Sequence, residues 1–396
     1  MKYLLALLLV LVPLGAEAAL PPQGLYSTCD VQDTYSTCLA AMQQQATGGF
    51  TLEVDYNTLI AHKTGATGSI ASWLADSATA GIQQIIPIQQ SSINTTDALT
   101  ATSLVDSLTA RGSSYATDCG ATTNQQVIDC LIAQCDASAG CWGYYIYDEY
   151  GCPHTAIGYC QGGMYAQSAC NAGVGSCRYQ NVDELALYLQ AHSTKKVVGT
   201  ATAAGPPCGG GGFSCAGGQT QINNLTSCNG QSECSGVYAW LMAAQSPYEN
   251  LDYYPIPENR NGGGQKMSDI AGIMQNFNTS IAATYAAEKP GFVVQAFTAF
   301  YYGYGGCGTI TLCPYPTQTQ IQTMRNYALF GNTLGMILYY SYEDVTCLHN
   351  YTGCNATTNW NQLVAAAFSS APGAPPCCWL LTCRCKPVLG KPKQAG

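Results

Sequence analysis

Apolar residues recur along the chain with two periods that alternate from one end to the other. Period-two or continuous apolar runs predict strands at 24–29, 50–56 (FTLEVDY), 83–89 (QQIIPIQ), 142–150 (WGYYIYDEY), 195–203 (KKVVGTATA), 250–256, 291–300 and 334–342. Apolar positions three and four apart predict helices between them, at 33–45, 69–80, 96–110, 124–137, 182–193, 237–245, 268–288, 318–330 and 359–368. Strands that alternate with helices run parallel, because a parallel pair needs a crossover and the right-handed crossover packs its helix outside the sheet. Eight such units over about 350 residues predict an α/β chain closed into a (β/α)8 TIM barrel, with a doubly wound open sheet as the alternative.

Two kinds of segment break the alternation. Cys/Gly-rich insertions follow the fourth, fifth, seventh and eighth strands, so all emerge on the face that carries the strand C-terminal ends, where barrel enzymes hold their chemistry. From Ala371 the chain turns to APGAPP, CCWLLTCRC and KPVLGKPKQAG, a Pro-rich spacer with a short Cys-rich tail. At the other end, Lys2, the apolar run 3–12, Pro13-Leu14-Gly15 and Ala16-Glu17-Ala18 have the order of a secretory signal cleaved after Ala18. That run is shorter than the about 20 residues a bilayer span requires. The expected organisation is a signal peptide at 1–18, a barrel at 19–370 and a Pro/Cys-rich tail at 371–396.

Composition places this barrel outside the cell. All 22 Cys follow the signal, an even number that a cytosolic protein rarely carries, so a secreted, extracellular chain with most thiols paired is expected. The spans Cys152–Cys177, Cys208–Cys234 and Cys307–Cys313 mark the insertions where bridges are expected, without fixing the connectivity. Net charge is −9 with no Lys/Arg run, which argues against nucleic acid or an anionic membrane as partner. Charged residues make up only 9%, against 47% hydrophobic, and a surface so poor in charge associates readily; self-association through the Cys-rich tail is the second partner expected after carbohydrate.

Carbohydrate enters through the fourth strand. Its end carries Asp148-Glu149 amid Tyr and Trp. Cleaving a glycosidic bond needs a carboxylic acid that protonates the departing oxygen, and aromatic neighbours both stack on sugar rings and raise that acid's pKa by desolvation. GLYSTCD, GYYIYDE, LDYYPIP after Glu249-Asn250, KPGFVVQAF and MRNYALFGNTLGMILYYSY together resemble the glycoside hydrolase-type TIM barrels of the large retaining clan, over roughly 24–368. The resemblance implies that Glu149 is the general acid/base, with Asp148 where the family usually has Asn. It also implies a nucleophilic Glu near the end of strand seven, where this chain reads VVQAFTAF without a carboxylate.

Three routes around that gap stay open. Another carboxylate could serve: Glu343 or Asp344 after strand eight, Asp252 in strand six, or Glu53 and Asp55 in strand two. An inverting mechanism could use a base about 6.5–9.5 Å from the acid, where a retaining pair stands about 5–5.5 Å apart. Or the barrel could be non-catalytic, binding glycan or assembling into a surface layer or filament. The catalytic candidates are Glu149, Asp148 and Glu343.

Substrate-binding candidates are Tyr56, Tyr147, Tyr254, Gln295, Phe297 and Tyr340, part of a wider set with Tyr145, Tyr301, Tyr302 and Tyr342 on or just after the strands. Strand alternation turns about half of that set away from the cleft. The stretch 303–308 matches GxGxxG without a following helix, no GxSxG or HExxH occurs, and His62, His154, His192 and His349 are dispersed, so neither cofactor nor metal is expected. Sequons at Asn94, Asn224, Asn278, Asn350 and Asn355 suit surface glycosylation.

Overall fold

The computed structural model describes residues 20–27, 34–55, 69–88, 118–150, 188–202, 248–256, 258, 266–284, 289–298, 313–348 and 353–369. Eight parallel strands close in sequence order into a barrel. They are β1 (Gln23–Ser27), β2 (Leu52–Asp55), β3 (Gln83–Pro87), β4 (Cys141–Tyr150), β5 (Lys196–Thr202), β6 (Tyr248–Asp252), β7 (Lys289–Gln295) and β8 (Met336–Tyr340). Closure is made by β1 on β8, with Gly24 opposite Leu338 and Leu25 opposite Tyr339. The (β/α)8 TIM barrel expected from the alternating pattern is therefore the fold of this chain.

The helices of the described residues are α1 (Tyr35–Thr47), α2 (Ile70–Ala80), α3 (Asn124–Asp136), α4 (Asp269–Thr284), α5 (Gln318–Leu329), the short α6 (Tyr342–Val345) and α7 (Ala356–Phe368). Residues 188–192 are helical as well. The helices predicted at 96–110 and 237–245, the signal segment, the tail and most of the Cys/Gly-rich insertions lie outside the described residues. Local chemistry sets the helix starts: Thr123 and Thr317 cap α3 and α5 in reciprocal boxes with Gln126 and Gln320.

Alternation divides each strand's side chains between two cores. Tyr26, Val54, Ile85, Tyr145, Val198, Val293 and Leu338 fill the lumen. Their sequence neighbours Leu25, Ile86, Tyr144, Val197, Phe292 and Tyr339 face outward and pack with Met42, Trp73, Leu131 and Met324 of the helices. Gly143 permits the close approach of β4 to β5, since a Cβ there would stand 2.2 Å from the Lys196 carbonyl oxygen.

The end of α7, the last helix among the described residues, is tied back to the barrel. Arg325 of α5, wholly buried, donates to the carbonyl oxygens of Ala366 and Ala367 at 2.7 and 2.6 Å. Gln23 donates to the same Ala367 oxygen at 2.9 Å and accepts from the Tyr339 hydroxyl. A cation suits the carbonyl-rich C-terminus of a helix. Disulfides Cys119–Cys130 and Cys135–Cys141 staple α3 to its flanks and to the start of β4, and Cys347–Cys354 closes the α6–α7 loop. Bridging thus extends to the end of the barrel opposite the expected insertions. Cys313 is also bonded, whereas Cys152, Cys177, Cys208, Cys234 and Cys307 lie outside the described residues.

Candidate active site at the barrel mouth

The register of β4 on β5 slips twice near the strand C-termini. Tyr145 stands opposite Val198, Tyr147 opposite Gly199 and Tyr150 opposite Ala201, so each step takes one residue more in β4 than in β5. Asp148 and Glu149 therefore share the position opposite Thr200. Thr200 belongs to the lumen: it is 1% exposed and its hydroxyl bonds that of Tyr26 at 2.9 Å. Bulges of this kind cluster at barrel rims and re-aim side chains there. The side chains of Tyr147, Asp148 and Glu149, and the whole of Tyr56, lie outside the described residues.

At this end of the barrel a connected set of aromatic rings gathers. Tyr26 lies edge-on to Tyr145 and Tyr340, with ring centres 5.8 and 5.4 Å apart, and its hydroxyl also bonds that of Tyr145 at 2.9 Å. Phe297 stands edge-on to Tyr254 at 4.9 Å and to Tyr340 at 5.8 Å. Tyr254 and Tyr340 are only partly buried. Three of the predicted substrate-binding residues, Tyr254, Phe297 and Tyr340, are thus brought together. Tyr26 and Thr200 were not among the candidates, although their alternation within GLYSTCD and KKVVGTATA was a usable signal. Tyr342 is turned away, packing on Trp360 and donating its hydroxyl to Gln44 on the outer side.

Gln295, expected to bind sugar hydroxyls, has another task. It is wholly buried; its carbonyl accepts from the Ile256 amide and its NH2 donates to the Ile256 carbonyl, both at 2.8 Å. A third bond reaches the Phe297 carbonyl at 3.3 Å. The side chain thereby ties down the segment after β6, and its donors are spent on backbone.

The carboxylates divide between the two faces of the wall. Asp252, the last residue of β6, is in register with Val293, which fills the lumen; Asp252 therefore has the inward position and is 1% exposed. Glu343, expected as a catalytic carboxyl at the end of β8, is instead carried by α6 behind β1. It is 2% exposed there and accepts from the Ser27 hydroxyl at 3.3 Å, while Asp344 accepts from the Ser341 hydroxyl at 2.7 Å. Glu53 faces outward too, accepting from Gln45 at 3.2 Å and Gln84 at 2.8 Å. Burial pushes its carboxyl up to about 7; the Glu343 charge pushes the same way, and hydrogen bonds from Gln84, Gln45 and Ser27 oppose both. The side chain of Asp55 lies outside the described residues.

Inside the lumen, Asn250 sits level with Thr200 and flat against Gly291, where a Cβ would stand 1.9 Å from its amide oxygen. Among the described residues no group of three or more His, Cys, Asp or Glu could hold a metal ion, and no helix is long and apolar enough to cross a membrane.

No protein-family model and no curated protein matches the sequence. Solved structures do match. A candidate α-L-fucosidase of Bacteroides thetaiotaomicron VPI-5482 aligns with a TM-score of 0.50 and 8% identity over 92% of this chain and 99% of that one. An endo-1,4-β-mannanase of Rhizomucor miehei aligns at 0.45 and 11%, over 88% and 95%. The carboxyl transferase domain of Rhizobium etli pyruvate carboxylase aligns at 0.42 and 6%, over 90% and 49%. At these identities the likeness shows the fold alone, a TIM barrel, and function has to be argued from the site.

Proposed function

We propose that the chain is a secreted glycoside hydrolase that acts on a poly- or oligosaccharide at the C-terminal mouth of the barrel, with Glu149 as general acid. The observation that supports this reading is the doubly bulged end of β4, whose backbone register leaves Asp148-Glu149 opposite Thr200, in a barrel where Tyr254 and Tyr340 are only partly buried. Sugar rings stack on such faces, and an acid at their edge is desolvated enough to keep its proton near neutral pH. Export is supported by the signal-like residues 1–18 and the three described disulfides.

In this reading Asp252 is the second carboxylate. It has the inward position two strands from β4, a backbone separation of about 10 Å at about 4.8 Å per strand, which inward-reaching side chains shorten. That suits the about 6.5–9.5 Å of an inverting pair better than the about 5–5.5 Å of a retaining one. A water held by Asp252 attacks the anomeric carbon as the bond to the departing oxygen breaks. Glu149 gives its proton to that oxygen, and Asp252 takes one from the water. Asp148 orients the acid, and Tyr147 and Tyr56 extend the stacking surface.

Following the reducing end formed first, by NMR during hydrolysis of a susceptible glycan, tests the pairing: the fresh anomer should be the opposite of the bond cleaved. Retention would move the nucleophile to another carboxylate. A second reading, a non-catalytic barrel that binds glycan or assembles, is favoured by one observation, that strand seven offers Gln295 locked on backbone in place of a carboxylate. Glycan binding or assembly without turnover across a broad panel would establish that reading instead.

A further inference from the structure

The first and last helices among the described residues leave a seam between them. From α7, Thr357, Trp360 and Val364 face two adjoining hollows of about 410 and 460 Å³; from α1, Ala41, Gln44 and Gly48 face the same hollows, which share Gln44 and Trp360. Residues three and four apart lie on one face of a helix, so the hollows form a single groove along both helices. Other faces of the same helices are closed: Cys38 and Met42 of α1 and Leu363, Ala366 and Ala367 of α7 are buried in the core.

The groove is apolar at its middle and at both ends. Trp360 is only partly buried, with its ring edge-on to Tyr342 at 6.0 Å. Leu348, which lines one end, is 51% exposed. At the other end Phe368 is 38% exposed and lies over Gly49, where a Cβ would stand 3.2 Å from its ring. These are two of the three large apolar side chains exposed among the described residues, and apolar surface gathered along one groove marks a place that another segment covers.

The chain supplies a segment of matching chemistry. Helix α7 ends at Phe368, beside the hollow lined by Gly48 and Val364, and residues 370–396 follow it. Behind the Pro-rich spacer they hold the apolar run Trp379-Leu380-Leu381. Ten residues lead from Ser369 to Trp379, a reach of about 31 Å in polyproline geometry, whereas Trp360 lies about 12 Å back along α7 from Phe368. Charge is complementary too. Helices α1 and α7 carry no charged residue and α6, at the Leu348 end, carries Glu343 and Asp344, while the tail carries Arg384, Lys386, Lys391 and Lys393 and no acid. A tail that turns back along α7 meets these features in its own order, the apolar run at Trp360 and the first basic residues towards α6.

We propose that the groove between α1 and α7 is the docking site of the chain's own Trp379-Leu380-Leu381, laid antiparallel to α7 with Arg384 and Lys386 towards the α6 carboxylates. Docked there, the tail closes the outer layer of the barrel where its first and last helices meet, and its apolar run serves the chain itself and not a contact between copies. The groove belongs to the barrel whatever its chemistry, so the proposal is independent of the glycosidase reading.

Photochemical cross-linking in the full chain tests it. A benzoylphenylalanine in place of Thr357 or of Asn361, both exposed on the rim of the groove, should on irradiation join residues 377–386 of the same chain. Replacing Trp379, Leu380 and Leu381 together by Ser should abolish that product. Irradiating an equal mixture of heavy-isotope-labelled and unlabelled chains separates the two sources of the tail. Products within one isotope are expected; mixed products would give the groove to a second copy's tail and overturn the assignment. No product in the tail, or an undiminished one in the serine variant, would overturn the docking itself. A second measurement needs no cross-link: in a chain ending at Ser369, the α1 and α7 amides should exchange with solvent deuterium on the order of tenfold faster than in the full chain, with those of α2 and α3 unchanged. Unchanged rates in α1 and α7 would overturn the docking equally.

Discussion

Neighbouring residues on the same strand end live in opposite chemistries. On β1, Tyr26 points into the lumen and joins Tyr145 and Thr200 through hydroxyls that can each donate or accept, so the polar groups there are satisfied without charge. One residue on, Ser27 points outward into a layer that buries Glu53 and Glu343 and, around α5, the guanidinium of Arg325. Among the described residues the lumen is neutral up to the level of Thr200, and Asp252 takes an inward position at the end of β6. The lesson is that charge on the outer wall serves the assembly of helices on strands, while the described lumen satisfies its polar groups with neutral hydroxyls.

The contrast can be broken at its strongest points. Arg325→Met removes the charged donor to Ala366 and Ala367 and leaves their carbonyl oxygens to the neutral donors Ser369 and Gln23. The expected cost is about 2–4 kcal/mol in urea unfolding, since hydrogen bonds to a charged group are worth about 1.5–3 kcal/mol each and some desolvation is recovered. A loss below about 1 kcal/mol would mean that outer-wall charge is not what fastens α7. Tyr26→Phe, in the lumen, deletes one hydroxyl shared by two neighbours of its own kind. These can re-pair with each other, so about 1 kcal/mol is expected, with the mouth aromatics left in place by near-ultraviolet circular dichroism. A larger effect than Arg325→Met would reverse the ranking of the two layers.

The same contrast explains what the sequence disclosed. Strands and helices were legible because the two apolar periods differ and repeat. Strand ends were less so: the predicted strand 250–256 runs on through Tyr253-Tyr254-Pro255-Ile256, yet β6 stops at Asp252, because the Gln295 amide and not a neighbouring strand takes the Ile256 backbone. That same tie removes Gln295 from the candidate ligands. Glu343 was misplaced because alternation ceases at Tyr340, and the short α6 turn that follows carries the carboxyl round to the back of β1. The bulges in β4 leave no mark on the apolar pattern, so the position shared by Asp148 and Glu149 opposite Thr200 could not be counted out along the strand. That Tyr254, Phe297 and Tyr340 lie together was legible because aromatic residues at or just past the strand ends gather where a parallel barrel closes.

The most direct test of the central claim compares Glu149→Gln with the native protein on two substrates that share a sugar and differ in leaving group. A natural glycan has a poor leaving group and needs the proton; an aryl glycoside with an activated leaving group needs it far less. The account predicts a fall in kcat/KM of about 10²–10⁴-fold on the glycan and a much smaller one on the aryl glycoside. Equal losses on both substrates would contradict it.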